Sequence, residues 1–158
     1  MVIKRNSLEE VISDFSDKKQ FYFAHPTYSR NSLREWELMI EKKYNLRFLN
    51  PFFDRDRPDS SDLNSDRLYS ENLDLSSIVE GDLDAIDKCY GVVAMITEPS
   101  LGSAMELFYN SFVKNKPTYL IIEDTSLQNH PWLKYLASYP PFNSREDFVK
   151  QVLEKLRI

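Results

Sequence analysis

The stretch that decides the fold runs Tyr90-Gly-Val-Val-Ala-Met-Ile-Thr-Glu-Pro-Ser-Leu-Gly-Ser-Ala-Met-Glu-Leu-Phe-Tyr109. Val92 to Ile96 is a short apolar run rich in β-branched residues, which predicts a strand covered on both faces. Pro99 ends pairing, because it has no N–H to give to a ladder. Gly102 allows the backbone to bend or to approach a ligand closely. From Ser103 the pattern is helical, with Met105, Leu107, Phe108 and Phe112 as the expected apolar contacts. A strand that feeds a helix through Pro-Ser-Leu-Gly leaves backbone N–H groups pointing outward at the helix N-terminus, a natural anion site. Glu106 sits about one turn into that helix, within reach of the same mouth. The stretch therefore predicts a phosphate pocket beside a carboxylate.

Working outward, the flanks repeat the alternation of strand and helix. Ser7 reads as an N-cap with Glu9 and Glu10 behind it, opening a helix through about Phe15. Lys19 to Ala24 is a strand that ends at His25-Pro26. Asn31 to Tyr44 predicts an amphipathic helix, with Leu33, Trp36, Leu38, Met39 and Ile40 as its apolar residues. Leu46 to Leu49 is a second short strand, closed by Asn50-Pro51. Leu75 to Cys89 is helical, with Ile78, Val79, Leu83 and Ile86 on one side and Asp82 beside that stripe. After the central unit, Lys116-Pro117 opens a strand from Thr118 to Ile122, and Leu127 to Ala137 predicts a short helix broken by Pro131. Ser144-Arg-Glu-Asp147 has the capping-box pattern and opens a last helix, Phe148 to Leu156.

The expected architecture is a single domain over residues 1–158, a Rossmann- or flavodoxin-like α/β sandwich. Its sheet is mostly parallel, has four to five strands and is flanked by helices. In such sheets ligands bind beyond the carboxyl ends of the strands, where the strand order reverses. Tyr22, His25, Asn50 and Ser100 fall at or near strand ends under that reading, and Asp82 and Glu106 come from flanking helices. Residues 51–72 differ in character, being dense in Asp, Ser and Arg without periodicity. We read about 52–72 as a flexible loop, either a flap offering Arg55, Arg57 and Arg67 or a plain solvated loop.

Composition narrows the function classes. The net charge of −5 speaks against a nucleic acid polymer or a membrane surface as partner, though not against a small anion. Cys89 is the only cysteine, so an intrachain disulfide and a thiolate metal cluster are both excluded. Two histidines leave no zinc site to expect, and three glycines leave no Walker loop or GxGxxG fingerprint. No secretory or membrane-spanning apolar run is visible, so a cytoplasmic protein is the expectation.

Asp82-Leu-Asp-Ala-Ile86, followed by Val92-Val-Ala-Met-Ile-Thr-Glu-Pro-Ser-Leu-Gly-Ser-Ala-Met-Glu106-Leu, resembles the nucleoside 2-deoxyribosyltransferase superfamily. Within it the likeness is to the 2′-deoxynucleoside 5′-phosphate N-hydrolases. It runs over roughly residues 19–136 and includes the Phe21-Tyr-Phe-Ala24 strand and Lys116-Pro117. The resemblance implies Glu106 as the carboxylate that attacks the anomeric carbon, Asp82 as the acid assisting the leaving base, and Tyr22 as the residue orienting the nucleophile. It implies Ser100 and Gly102 as the turn holding a 5′-phosphate. Transferases acting on free nucleosides resemble this chain but carry an acid where Ser100 stands, which points here toward nucleotides. The resemblance also implies a homodimer or higher homo-oligomer with shared sites, in which His130 falls near the position of a residue that completes a neighbour's phosphate site.

The chain departs from the pattern at two places. His25-Pro-Thr-Tyr-Ser-Arg30 replaces a small-residue turn, with Ser29 and Arg30 as displaced phosphate ligands, and Tyr90 replaces an Asp. Read without the motif, Glu106 and Asp82 are ordinary helix acids, Tyr22 a core aromatic, Ser100 a helix cap, His25 a loop residue lining the pocket and His130 a structural residue. Three functions follow: hydrolysis of a (deoxy)nucleoside 5′-monophosphate without metal or cofactor, exchange of bases between nucleosides, or binding of a nucleotide without turnover.

Overall fold

The structure, a computed structural model, describes residues 3–54 and 74–157. The loop expected at about 52–72, with Arg55, Arg57 and Arg67, lies from residue 55 onward outside the described residues. Among the described residues four strands form one all-parallel sheet: β1 (Phe21–Ala24), β2 (Phe48–Leu49), β3 (Gly91–Ile96) and β4 (Thr118–Ile122). Their order is β2-β1-β3-β4, with Tyr22 level with Leu49 on one side and Val92 on the other. A single bridge from Ile121 to Phe142 extends the sheet beyond β4. The helices are α1 (Leu8–Ser16), α2 (Arg30–Tyr44), α3 (Leu75–Lys88), α4 (Leu101–Phe108), α5 (Pro131–Leu136) and α6 (Arg145–Gln151). The α/β Rossmann- or flavodoxin-like class expected from the alternation is the observed one. No helix among the described residues is long and apolar enough to cross a membrane.

Strand alternation sorts the core into two layers. Phe21, Phe23, Val93, Met95, Tyr119 and Ile121 pack with Val11 and Phe15 of α1, Leu33 and Ile40 of α2 and Phe148 of α6. Tyr22, Ala24, Val92, Ala94, Ile96, Leu120 and Ile122 face the other way, against Ala85 and Ile86 of α3, Leu107 of α4 and Leu136 of α5. Both faces are covered, which is why every residue of β3 is buried and its sequence is apolar throughout. β3 starts hard against the lead-in to β4. A Cβ on Gly91 would fall 2.3 Å from the Pro117 carbonyl oxygen, so only glycine fits there. Lys116 closes the same corner, donating from Nζ to the Ile86 (2.6 Å) and Cys89 (2.8 Å) carbonyls at the end of α3.

Four local expectations change. In α2 the buried stripe is Leu33, Glu37 and Ile40, while Leu38 and Met39 face outward. In α4 Met105 is exposed and only Ser103 and Leu107 are buried. Pro131 does not break a helix but opens one at its first position, where its missing N–H costs nothing; residues 127–130 lie before it. The last helix starts at Arg145 and its α-helical part ends at Gln151, followed by a 3-10 turn over Leu153–Lys155. Ser144 caps it through the Asp147 amide (3.0 Å), but the Asp147 carboxylate lies 3.5 Å from the Asn143 amide and does not complete the box with Ser144.

Candidate active site

The order β2-β1-β3-β4 puts the point of reversal between β1 and β3. The chain leaves β1 toward α2 on one face and leaves β3 toward α4 on the other, so the two exits diverge and open a crevice. The residues nominated from sequence distribute around this edge, and the structure joins some and separates others.

Tyr22 and Glu106 are joined. Tyr22 is fully buried on β1 and points to the α3/α4 face. A phenol sealed in an apolar layer needs a partner, since an unmet hydroxyl costs about 1–3 kcal/mol. Its hydroxyl donates to Glu106 Oε2. Glu106 lies on the flank of α4 that also carries Gly102, one turn earlier, and remains partly exposed. A carboxylate oriented by a phenol and still open to the surface has the placement a nucleophile requires. Asp82 lies half-buried on α3, which packs against α4.

Ser100 caps α4, its hydroxyl accepting from the Ser103 amide at 3.3 Å. Gly102 sits inside the helix without a positive φ, so its conformational freedom is not used to bend the chain. A Cβ there would meet nothing within 4 Å, which leaves open space over the helix N-terminus for a ligand to approach. The Ser103 hydroxyl, one turn inside, is buried without a hydrogen-bond partner among the described residues.

Across the crevice, Ser29 and Arg30 are otherwise engaged. The Ser29 hydroxyl lies 2.7 Å from Thr97 Oγ1 and donates to Glu98 Oε1 at 3.1 Å, which ties the exit of β1 to the exit of β3. Arg30 donates to the Thr27 carbonyl at 2.6 Å. Sequence reading missed Glu98, although a carboxylate two residues before Ser100 is visible in the quoted stretch.

His25 and Asn50 belong to another cluster, at the ends of β1 and β2. His25 is buried between Phe23 and Phe52, its ring centroid 5.1 and 4.9 Å from theirs. Its Nδ1 is 3.0 Å from the Pro26 carbonyl and its Nε2 is 3.2 Å from Asn50 Oδ1. Asn50 Oδ1 also accepts from the Phe52 amide at 3.1 Å, and Asn50 Nδ2 donates to Glu37 at 3.1 Å. These links wind the turn after β2 around the Asn50 side chain.

His130 stands apart from Glu106, on the opposite flank of α4. It caps α5, its Nδ1 accepting from the Trp132 amide at 3.3 Å. With Ser100 it lies on the lining of a groove of about 560 Å³ between α4 and α5, otherwise walled by apolar side chains including Leu101, Met105, Phe108, Trp132 and Leu133. Cys89 is buried, and burial pushes its thiol up to about 11, so it is not a nucleophile near neutral pH.

No protein-family model, no curated protein and no solved structure matches this chain. The likeness to the deoxyribosyltransferase superfamily rests on the residues quoted from the sequence.

Proposed function

We propose that the chain hydrolyses the N-glycosidic bond of a (deoxy)nucleoside 5′-monophosphate, giving a free base and a sugar 5-phosphate. The observation that carries this reading is the Tyr22–Glu106 hydrogen bond on the flank of α4 that holds the open Gly102. The Glu106 carboxylate attacks the anomeric carbon as the bond to the base breaks, and Asp82 gives a proton to the departing base. Water then cleaves the sugar ester with Asp82 taking back a proton, so the anomeric configuration is retained. Ser100 and the amides at the start of α4 hold the phosphate. No cofactor takes part.

A second reading, base exchange on free nucleosides, is favoured by Glu98. A carboxylate about 6 Å from a phosphate opposes it by about 3 kcal/mol at an effective dielectric near 20. A helix N-terminus returns only about 1 kcal/mol. The Glu98 carboxyl group beside Ser29 thus weighs toward a neutral 5′-hydroxyl. One chromatographic screen separates the readings: nucleoside monophosphates and the matching nucleosides, each with and without a second free base. Base release from monophosphates alone supports hydrolysis. A new nucleoside supports exchange. Thermal stabilisation by mononucleotides with no base released over hours supports a binding module and sinks both.

The active form in this reading is a homodimer that covers the α4/α5 groove. Leu101 (79% exposed), Met105 (67%) and Trp132 (62%) form an apolar surface that a lone chain leaves in water. Met105→Asp is expected to give a monomer by sedimentation with stability changed by less than about 0.5 kcal/mol. A wild-type chain that sediments as a monomer at high concentration removes the dimer.

A further inference from the structure

The chain has two histidines, and their ring nitrogens meet opposite kinds of partner. His130 Nδ1 accepts from the Trp132 amide, so that nitrogen is bare while the cap of α5 is made. His25 meets oxygen on both sides. Its Nδ1 faces the Pro26 carbonyl at 3.0 Å, and a carbonyl oxygen only accepts. Its Nε2 faces Asn50 Oδ1 at 3.2 Å. The Asn50 amide is not free to turn over and offer its nitrogen instead. Oδ1 takes the Phe52 amide N–H at 3.1 Å, and Nδ2 donates to Glu37 Oε2, which also accepts from Arg34. Turned over, Asn50 would set its own NH2 group against the Phe52 N–H. Both ring nitrogens of His25 therefore call for a proton, and a neutral imidazole carries only one.

We propose that His25 is held as a doubly protonated imidazolium, and that its second proton locks the turn after β2 to the end of β1, a pH-sensitive catch at the carboxyl edge of the sheet. The ring is buried, so its charge needs partners in place of water. Two oxygens meet the ring edge. The rings of Phe23 and Phe52 flank it at centroid distances of 5.1 and 4.9 Å, within the range where an aromatic ring attracts a cation. Charged groups come to this cluster from two elements. On α2, Glu37 reaches His25 through Asn50, and Arg34 stands behind Glu37 with the same sign as the imidazolium. In the turn after β2, Asp54 takes the Asn50 backbone amide at 2.8 Å and pairs with Arg34 at 3.4 Å. Burial lifts the Glu37 carboxyl to about 7, so Glu37 turns negative as pH passes neutrality and then tightens the hold on the His25 proton. The folded His25 midpoint lies above the ordinary value of about 6.5. Its hold on the turn is full below about 6.5 and is lost as pH rises through that raised midpoint. Without the proton a nitrogen lone pair confronts an oxygen, Asn50 swings away and the Phe52 amide loses its acceptor. None of this depends on the role given to Glu106.

The test is a nitrogen-15 NMR titration of the two imidazoles in the whole protein, run beside hydrogen exchange of the Phe52 amide. At about pH 7.5 both ring nitrogens of His25 are expected to carry protons. Phe52 protection is expected to drop about ten-fold as the second proton leaves at higher pH. Glu37→Gln, which removes the negative charge behind Asn50, is expected to lower the His25 midpoint by about one pH unit. His25→Gln, whose amide keeps a donor that does not titrate, is expected to make Phe52 protection independent of pH. A bare ring nitrogen in His25 at about pH 7.5 overturns the proposal. So does a midpoint unmoved by Glu37→Gln, or a Phe52 protection profile unchanged in His25→Gln. Should His25→Gln not fold, the wild-type titration and Glu37→Gln decide the matter.

Discussion

Two glutamates on opposite faces of the sheet show how one side chain is put to two uses. Glu37 on α2 is closed off from water, held by the guanidinium of Arg34 and the amide of Asn50. Glu106 on α4 is partly exposed and takes the neutral hydroxyl of Tyr22. An acid sealed in this way is bound into the structure, and removing it leaves the buried Asn50 amide without its acceptor. A carboxylate aligned by a phenol at the rim of a crevice keeps a face for a ligand. Partners and exposure together tell the two apart.

The sharpest break in this comparison comes from Glu106→Gln. Base release is expected to fall by roughly 10³-fold or more. The urea midpoint is expected to move by less than the equivalent of about 1 kcal/mol. Full turnover on every nucleotide tested removes Glu106 as nucleophile. Glu37→Ala is expected to reverse the pattern, destabilising by up to about 3 kcal/mol at pH 5 because the buried Asn50 amide loses its acceptor. An equal stability loss in both variants erases the distinction drawn here.

A smaller effect is the wild-type response to pH. Glu37 holds its proton up to about 7 when folded, against 4.5 for an ordinary glutamate. The folded chain binds a proton that the unfolded chain has released, so its contribution is full below about pH 4.5 and lost as pH rises to about 7. The loss is about 3 kcal/mol, measured by chemical unfolding at a series of pH values. Glu37→Gln is expected to be flat across that window. Smallest is Tyr22→Phe. One hydrogen bond to a charged group is worth about 1.5–3 kcal/mol, so activity is expected to fall about 10- to 150-fold. A Tyr22→Phe chain as active as wild type means that the phenol does not orient the carboxylate.

Periodicity made the layers legible. The apolar run from Val92 to Ile96 is buried at every residue and sits at the centre of the sheet, where a strand without polar alternation belongs. The meeting of Tyr22 with Glu106 was also readable, through the quoted motif, because β1 and β3 are neighbours and α4 follows directly from β3. The Glu37 network was missed because hydrophobic spacing was taken from Leu38 and Met39, which face outward. The spacing Leu33, Glu37, Ile40 fits the buried stripe once an acid is allowed in it, and burial of an acid depends on Arg34 and Asn50 converging from outside the pattern. Pro131 was read as a breaker, although proline serves equally well as the first residue of a helix.

The Ser29–Glu98 bond has a thermodynamic consequence for whatever enters between β1 and β3. An incoming oxygen that takes the Ser29 hydroxyl displaces an acceptor already seated there. The visitor therefore gains the difference between two hydrogen bonds and not the whole of one. Occupancy settled by exchange is shallow and easily undone, a property that suits a cleft where products must depart more than one where a ligand is stored.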